Sequence, residues 1–240
     1  MKIIVVSDYE RMSEEVAKIV QAQIAVKPDS VLGLATGSTP LGTYRKLVEM
    51  AKDGLDFSQV TTFNLDEYVG LAGDHPQSYR YYMEQNLFSG VNIPREKTFI
   101  PNGTAADLAA ECAAYEEKIK GAGGIDLQLL GIGSNAHIGF NEPGSEFGST
   151  TRLVDLAEST IEDNSRFFAS REEVPTQAIS MGIKSIMQAK QIVLMANGEN
   201  KADAIWATVL GPVTSDVPAS VLQLHPFVTL VLDEAAASKL

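Results

Sequence analysis

Residues 31–51 read VLGLATGSTPLGTYRKLVEMA. The run VLGLA has the length and apolarity of a strand, and the stretch from Pro40 onward places Leu41, Tyr44, Leu47, Val48 and Ala51 on one helical stripe. Between them Thr36, Gly37, Ser38 and Thr39 form a turn of small residues, with Pro40 suited to the first helical position. A strand, a tight turn and a helix make the repeating unit of a parallel sheet. The same alternation extends outward in both directions. KIIVV is followed by an amphipathic stretch from Glu10 to about Ala25, and VTTFNLD (60–66) by SYRYYMEQNLF. KTFIP precedes a helix around Cys112, and DLQLLGIG spans 126–133. QIVLMA (191–196) precedes NKADAIWATVL, and FVTLVLD (227–233) precedes a short terminal helix.

Several of these runs are almost continuously apolar, as strands buried on both faces of a sheet are. The predicted fold is α/β: three layers, doubly wound and Rossmann-like around a mainly parallel sheet, with a single domain over 1–240. Residues of about 143–180, from PGSEFGSTT to REEVPTQ, carry only weak periodicity and are expected to form a loop-rich lid.

Composition narrows the function. The chain has 240 residues, 45% of them hydrophobic, enough for a sizeable core. Its formal net charge of −12 argues against nucleic acid or an anionic membrane as partner, because both are bound through Lys/Arg surfaces. The single cysteine, Cys112, shares a helical face with Leu108, Tyr115 and Ile119 and reads as a core residue. One cysteine makes neither an internal disulfide nor a thiolate zinc site. The apolar run in MKIIVVSDYE is too short for a signal-peptide core, and no run approaches the ~18 apolar residues of a membrane span. A cytoplasmic protein is the expectation.

Open α/β sheets bind ligands outside the carboxyl ends of their strands, and four sequence clusters fall at such ends. The Thr36–Thr39 turn offers backbone N–H groups, hydroxyls and a helix N-terminus, which suit a phosphate. It is equally read as an ordinary βα turn capped by Thr39. It is neither a Walker A loop nor a dinucleotide fingerprint. In FNLDEYVG (63–70), Asp66 and Glu67 end a strand and point in opposite directions, so only one of them faces a shared pocket. That one is a candidate general base, or a turn cap. In GIGSNAHIGFNEPG (131–144), His137 is the side chain type suited to moving protons near neutral pH, with Glu142 and Asn135 placed to orient it. Zinc-ligand spacing is lacking there, and no nucleophile elbow supports Ser134 or Ser38. Finally, Arg166 lies in DNSRFF, and Lys201 opens a helix against its dipole, an arrangement that favours an anion nearby. His75 and His225 each precede a proline and read as turn-positioning.

In chain order, LGLATGSTPLGTY, FNLDEYVGL…HPQSY, LGIGSNAHIGFNEPG, NSRFF, GENKA and LQLHP resemble the glucosamine-6-phosphate deaminase family over nearly the whole chain. The resemblance implies the deaminase/phosphogluconolactonase type of fold. It implies hydrolysis of glucosamine 6-phosphate to fructose 6-phosphate and ammonia, in amino-sugar catabolism, with no metal or organic cofactor. By motif match, His137 assists ring opening, Glu142 and Asn135 tune it, and Asp66 moves a proton from C2 to C1 through an enolamine. Thr36, Gly37, Ser38, Thr39, Arg166 and Lys201 hold the phosphate. Two residues depart from the best-known pattern. Asn135 stands where an aspartate is usual, so Glu142 carries the charge beside the imidazole. Ala136 replaces a frequent glycine. The longer C-terminal portion of the hexameric, allosterically regulated members has no counterpart here, which implies a monomer or small homo-oligomer. The alternatives are a 6-phosphogluconolactonase-like hydrolase, which needs no carbon base, and a non-enzymatic sugar-phosphate sensor. The FNEP continuation favours the deaminase.

Overall fold

Apolar strands with both faces covered need helices on each side, and the chain supplies them. The computed structural model describes residues 1–165, 168 and 170–240, the side chains of Ser159, Thr160, Asp163, Asn164 and Glu172 excepted. Its first half runs β1 (Lys2–Val6), α1 (Tyr9–Val26), β2 (Val31–Leu34), α2 (Leu41–Lys52), β3 (Thr61–Asn64), β4 (Asp66–Tyr68), α3 (Tyr79–Asn86), β5 (Thr98–Phe99) and α4 (Leu108–Gly121). Then come β6 (Leu127–Leu130), β7 (Arg152–Asp155), α5 (Glu158–Ser165), β8 (Gln177–Ser180), α6 (Ile183–Met187), β9 (Gln191–Ala196), α7 (Ala202–Leu210) and β10 (Val228–Asp233). A seven-stranded sheet has the order β1-β10-β9-β6-β2-β3-β5, and every pairing in it is parallel.

Strand alternation divides the core between the two faces. In β9, Val193 and Met195 pack with Met12 and Val16 of α1 and with Tyr44 and Leu47 of α2. Ile192, Leu194 and Ala196 face the other way, toward Tyr115 of α4, Ile186 of α6 and Ile205 of α7. Each fully buried Val, Leu, Ile or Met side chain among these contributes about 1.5–3 kcal/mol. This is the expected three-layer, doubly wound arrangement.

The winding fixes where a ligand can sit. From β2 the chain lays down β3 and β5 on one side, then returns to the other side of β2 for β6, β9 and β10. Strand order therefore reverses between β2 and β6, and a crevice opens outside their carboxyl ends.

Four expectations need correction. VTTFNLD is not one strand: β3 ends at Asn64, and β4 joins a separate antiparallel sheet of order β4-β8-β7. Leu65 is the crossing point, its N–H on Leu34 O (3.0 Å) and its carbonyl taking the Met181 N–H (2.7 Å). Within 143–180, which is otherwise irregular where it is described, lie β7, α5 and β8. Thr39 does not cap α2. Pro40 holds the cap position rather than the first helical one and has no side-chain bond, while the Tyr9 hydroxyl accepts the Gly42 N–H at 2.8 Å. The terminal helix is replaced by turns after Asp233, whose carboxylate accepts the Ala236 N–H (2.7 Å). Cys112 is buried with Tyr115 on α4. His75 and His225 use Nδ1 to accept the N–H two residues on, beyond the proline (both 3.1 Å). No helix among the described residues is long and apolar enough to cross a membrane.

Candidate active site

The carboxyl ends of β9, β6, β2 and β3 lie side by side, and the four clusters follow them. Lys201 comes after β9, residues 131–142 after β6, the Thr36–Thr39 turn after β2 and Asp66 after β3. Arg166 lies outside the described residues.

The turn after β2 is shaped by two tyrosines. Tyr82 of α3 donates to Gly37 O (2.6 Å), and Tyr9 of α1 donates to Ser38 O (3.1 Å). In a trans peptide the C=O and N–H point opposite ways, so fixing these carbonyls turns the N–H groups of Ser38 and Thr39 away from the tyrosines. Gly37 makes the turn at φ 98°, which a glycine adopts without steric cost. Amides turned this way beside the N-terminus of α2 suit an anion.

The loop after β6 folds back on itself to present His137. The Gly133 N–H bonds His137 O (3.0 Å), and the imidazole lies so close over Gly133 that a Cβ there would stand 2.4 Å from Nδ1. Ala136 sits at φ 65°, in the left-handed region where glycine is favoured, so the substitution noted in the sequence falls where it strains the backbone. The Asn135 amide donates to Glu142 Oε2 at 2.7 Å, and its Oδ1 accepts the His137 N–H at 3.2 Å. The same Glu142 oxygen stands 3.4 Å from His137 Nδ1. Asn135 thus holds one carboxylate oxygen beside the imidazole. Beyond the loop, Asn141 is fully buried and bonds Ile138 O, Met181 O and Arg152, which ties the loop to β7 and β8.

Asp66 and Glu67 separate as alternation requires. Glu67 accepts the N–H groups of Tyr68, Tyr79 and Arg80 (2.9, 2.9 and 3.0 Å) and so caps α3. Asp66 faces the loop, where a Cβ on Gly139 would lie 3.6 Å from its Oδ2. Ser180, its cross-strand neighbour on β8, takes the Phe140 N–H at 3.0 Å. Burial, and then the neighbouring Glu67 charge, push the Asp66 carboxyl up to about 8. A carboxylate in that range is a stronger base than an ordinary one.

Lys201 precedes α7 in a turn that the sequence reading left unexplained. Asp233, at the end of β10, accepts the Gly198 N–H with both oxygens (3.0 Å each), and Gly198 turns the chain at φ 90°. Asp233 is not singled out by the sequence, and Glu67 only as one of two acids of which one faces a pocket. The signal at Asp233, an acid at a strand end, carries no local mark of its partner.

Residues 8–230 match the family model described as glucosamine-6-phosphate isomerases/6-phosphogluconolactonase. The chain is 59% identical to the glucosamine-6-phosphate deaminase of Thermoanaerobacter pseudethanolicus, over 99% of this chain and 94% of that protein. It is 58% identical to that of Clostridium novyi, with 100% of both covered. Among solved structures, a monomeric glucosamine-6-phosphate deaminase superposes with a TM-score of 0.98 at 46% identity, covering 100% of both chains. The 6-phosphogluconolactonase from Trypanosoma cruzi shares the fold, with a TM-score of 0.81 at 21% identity over 100% of this chain and 96% of that one.

Proposed function

The chain belongs to the family of glucosamine-6-phosphate isomerases and 6-phosphogluconolactonases, and we propose that within it the chain is a glucosamine-6-phosphate deaminase. The observation that carries this choice is Asp66, a buried carboxylate facing the loop that carries His137, with its proton affinity raised to about 8. A lactonase needs a base for water and has no use for a second base placed for carbon. Isomerisation of an amino sugar needs one.

In the proposed mechanism the phosphate rests on the amides of Ser38 and Thr39 with Thr36 and Gly37, and Lys201 and Arg166 complete its charge. Binding this remote group positions C1 and C2 against the catalytic side chains. His137, with Nδ1 toward Glu142, uses Nε2 to carry a proton from the anomeric hydroxyl to the ring oxygen, which opens the ring. Asn135 holds Glu142 in place for that step. Asp66 then takes the C2 proton, giving an enolamine, and returns a proton at C1. Water adds to the resulting C2 imine and ammonia leaves, which makes the overall change hydrolytic.

We read residues 1–240 as one catalytic domain, with a lid in 143–180 that closes over the phosphate. The protein is placed in the cytoplasm, in amino-sugar and N-acetylglucosamine degradation, and needs no metal, organic cofactor or nucleic acid. A monomer is favoured by likeness to the 46%-identical structure described as monomeric. The test is ammonia release from glucosamine 6-phosphate by wild type, Asp66→Asn and His137→Gln. Turnover by wild type that falls by orders of magnitude in both variants supports the assignment. A folded wild type that releases no ammonia but opens 6-phosphogluconolactone refutes it.

A further inference from the structure

The reaction demands two fixed points at one separation, because the sugar skeleton sets the distance from C2 to the phosphate. On the protein, the base is on β4 and the phosphate turn follows β2. The link between them runs through α3. At its N-terminus, Glu67 Oε1 holds the Tyr79 N–H and Oε2 the Arg80 N–H, while the Ser78 hydroxyl accepts the Tyr81 N–H at 3.0 Å. On its side, the Tyr82 hydroxyl donates to Gly37 O at 2.6 Å. The helix is thus fastened to the base strand by one carboxylate and to the phosphate turn by one phenol.

Resting on the reading of Asp66 as the carbon base, we propose that Glu67 is a positioning residue for the reaction. It clamps α3 to β4, so that base and phosphate cradle keep the separation the substrate requires, and it stands next to Asp66 as a buried negative charge.

Besides the loop that carries His137, the titratable groups that feel the Asp66 charge among the described residues are Tyr44 of α2, Tyr79 of α3 and Tyr115 of α4. Burial raises each of these phenols well above its ordinary range, so all three stay neutral while the enzyme works. Arg80 meets Glu67 through its backbone N–H, and its guanidinium is committed to Thr98, donating to Oγ1 (2.8 Å) and to the carbonyl (2.7 Å), with Glu84 at 3.7 Å. Among these groups the charge that Asp66 meets is that of Glu67. Like charges held this close make each carboxylate harder to ionise.

Two substitutions, read by different measurements, separate the roles. Glu67→Gln removes the charge and keeps the length and one acceptor oxygen, so it gives up one of the two α3 N–H groups as well and its pH profile is the readout of the charge. The acid limb of kcat/KM is expected to move to lower pH, because the base no longer ionises against a neighbour. Glu67→Asp keeps the charge and shortens the reach by one methylene, so it cannot hold both N–H groups of α3. KM is expected to rise several-fold with the acid limb unmoved, and inorganic phosphate, titrated by calorimetry, is expected to bind more weakly. Circular dichroism and thermal melting establish that each variant is folded. Deamination by wild type is the control on the reading itself: its absence defeats that reading, while the phosphate titration still tests the clamp. A folded Gln variant with the wild-type pH profile overturns the charge role. An Asp variant with wild-type KM and phosphate affinity overturns the clamp.

Discussion

Replacing Asn135 by aspartate puts the proposed relay under a specific stress. The Asn135 amide nitrogen lies 2.7 Å from Glu142 Oε2, and the Glu142 side chain is only 16% exposed. In Asn135→Asp an oxygen takes the place of that nitrogen, and two carboxylates face each other at the same spacing. At an effective dielectric of about 20 their repulsion is roughly 6 kcal/mol before relaxation. At 1.36 kcal/mol per unit this corresponds to roughly four pK units. Side-chain movement relieves part of it. The remainder is enough for the pair to hold one shared proton into the neutral range, titrating as a unit. The variant should therefore work while that proton bridges the two carboxylates, because the bridge restores the lost hydrogen bond. It should diverge from wild type as pH rises and the bridge is lost. The assay is kcat/KM for ammonia release from glucosamine 6-phosphate across the neutral and alkaline range, with wild type in parallel. A new ionisation in the variant's profile is expected. A profile superimposable on that of wild type would mean that Asn135 does not hold Glu142, and the relay would have to be redrawn. As a control, Asn135→Ala removes a charge-assisted hydrogen bond worth about 1.5–3 kcal/mol, so kcat/KM should fall by roughly 10- to 100-fold at every pH.

Asp66→Asn should abolish turnover yet stabilise the fold in alkali. Burial and Glu67 raise Asp66 from 3.8 to about 8, so its protonated form favours folding, and that contribution is complete below the unfolded value and lost as pH rises through about 8. An asparagine never ionises, so urea unfolding should show the variant gaining up to about 5 kcal/mol over wild type above that pH and matching it in acid. Asp126 works the other way at the amino end of the sheet. Desolvation raises it, but hydrogen bonds from Lys190, Lys27 and the Val31 N–H prevail and hold it below the usual range. Its contribution is present above the unfolded value and lost as pH falls through the folded one, so Asp126→Asn should cost about 2 kcal/mol at neutral pH, with the gap closing in acid. Asp233→Ala frees the Gly198 N–H that anchors the Lys201 turn. If Lys201 serves the phosphate, KM should rise about 10-fold while kcat holds, whereas a fall in kcat alone would detach Lys201 from binding.

What could be read from the sequence divides along a physical line. Strands, helices and the clusters at strand ends are written in local pattern, because apolar periodicity and the small residues of a turn act within a few positions. Whatever depends on a distant partner is not written there. VTTFNLD alternates as one strand would, and nothing local marks Leu65 as the residue where the partner changes from β2 to β8. Thr39 has the chemistry of a cap, yet Gly42 is served by Tyr9, 33 positions away. The acids make the point most sharply. Asp66 and Glu67 are adjacent and nearly identical in chemistry, so alternation can say that they diverge but cannot say which way each turns. The assignment comes from α3, whose first N–H groups lie 12 and 13 positions beyond Glu67 and need a carboxylate. Once Glu67 is committed to the helix, Asp66 is left facing the Gly139 loop. The residue type needed for the chemistry was therefore visible in the chain, while the choice between two such residues was made by a neighbouring helix that has no part in the chemistry itself.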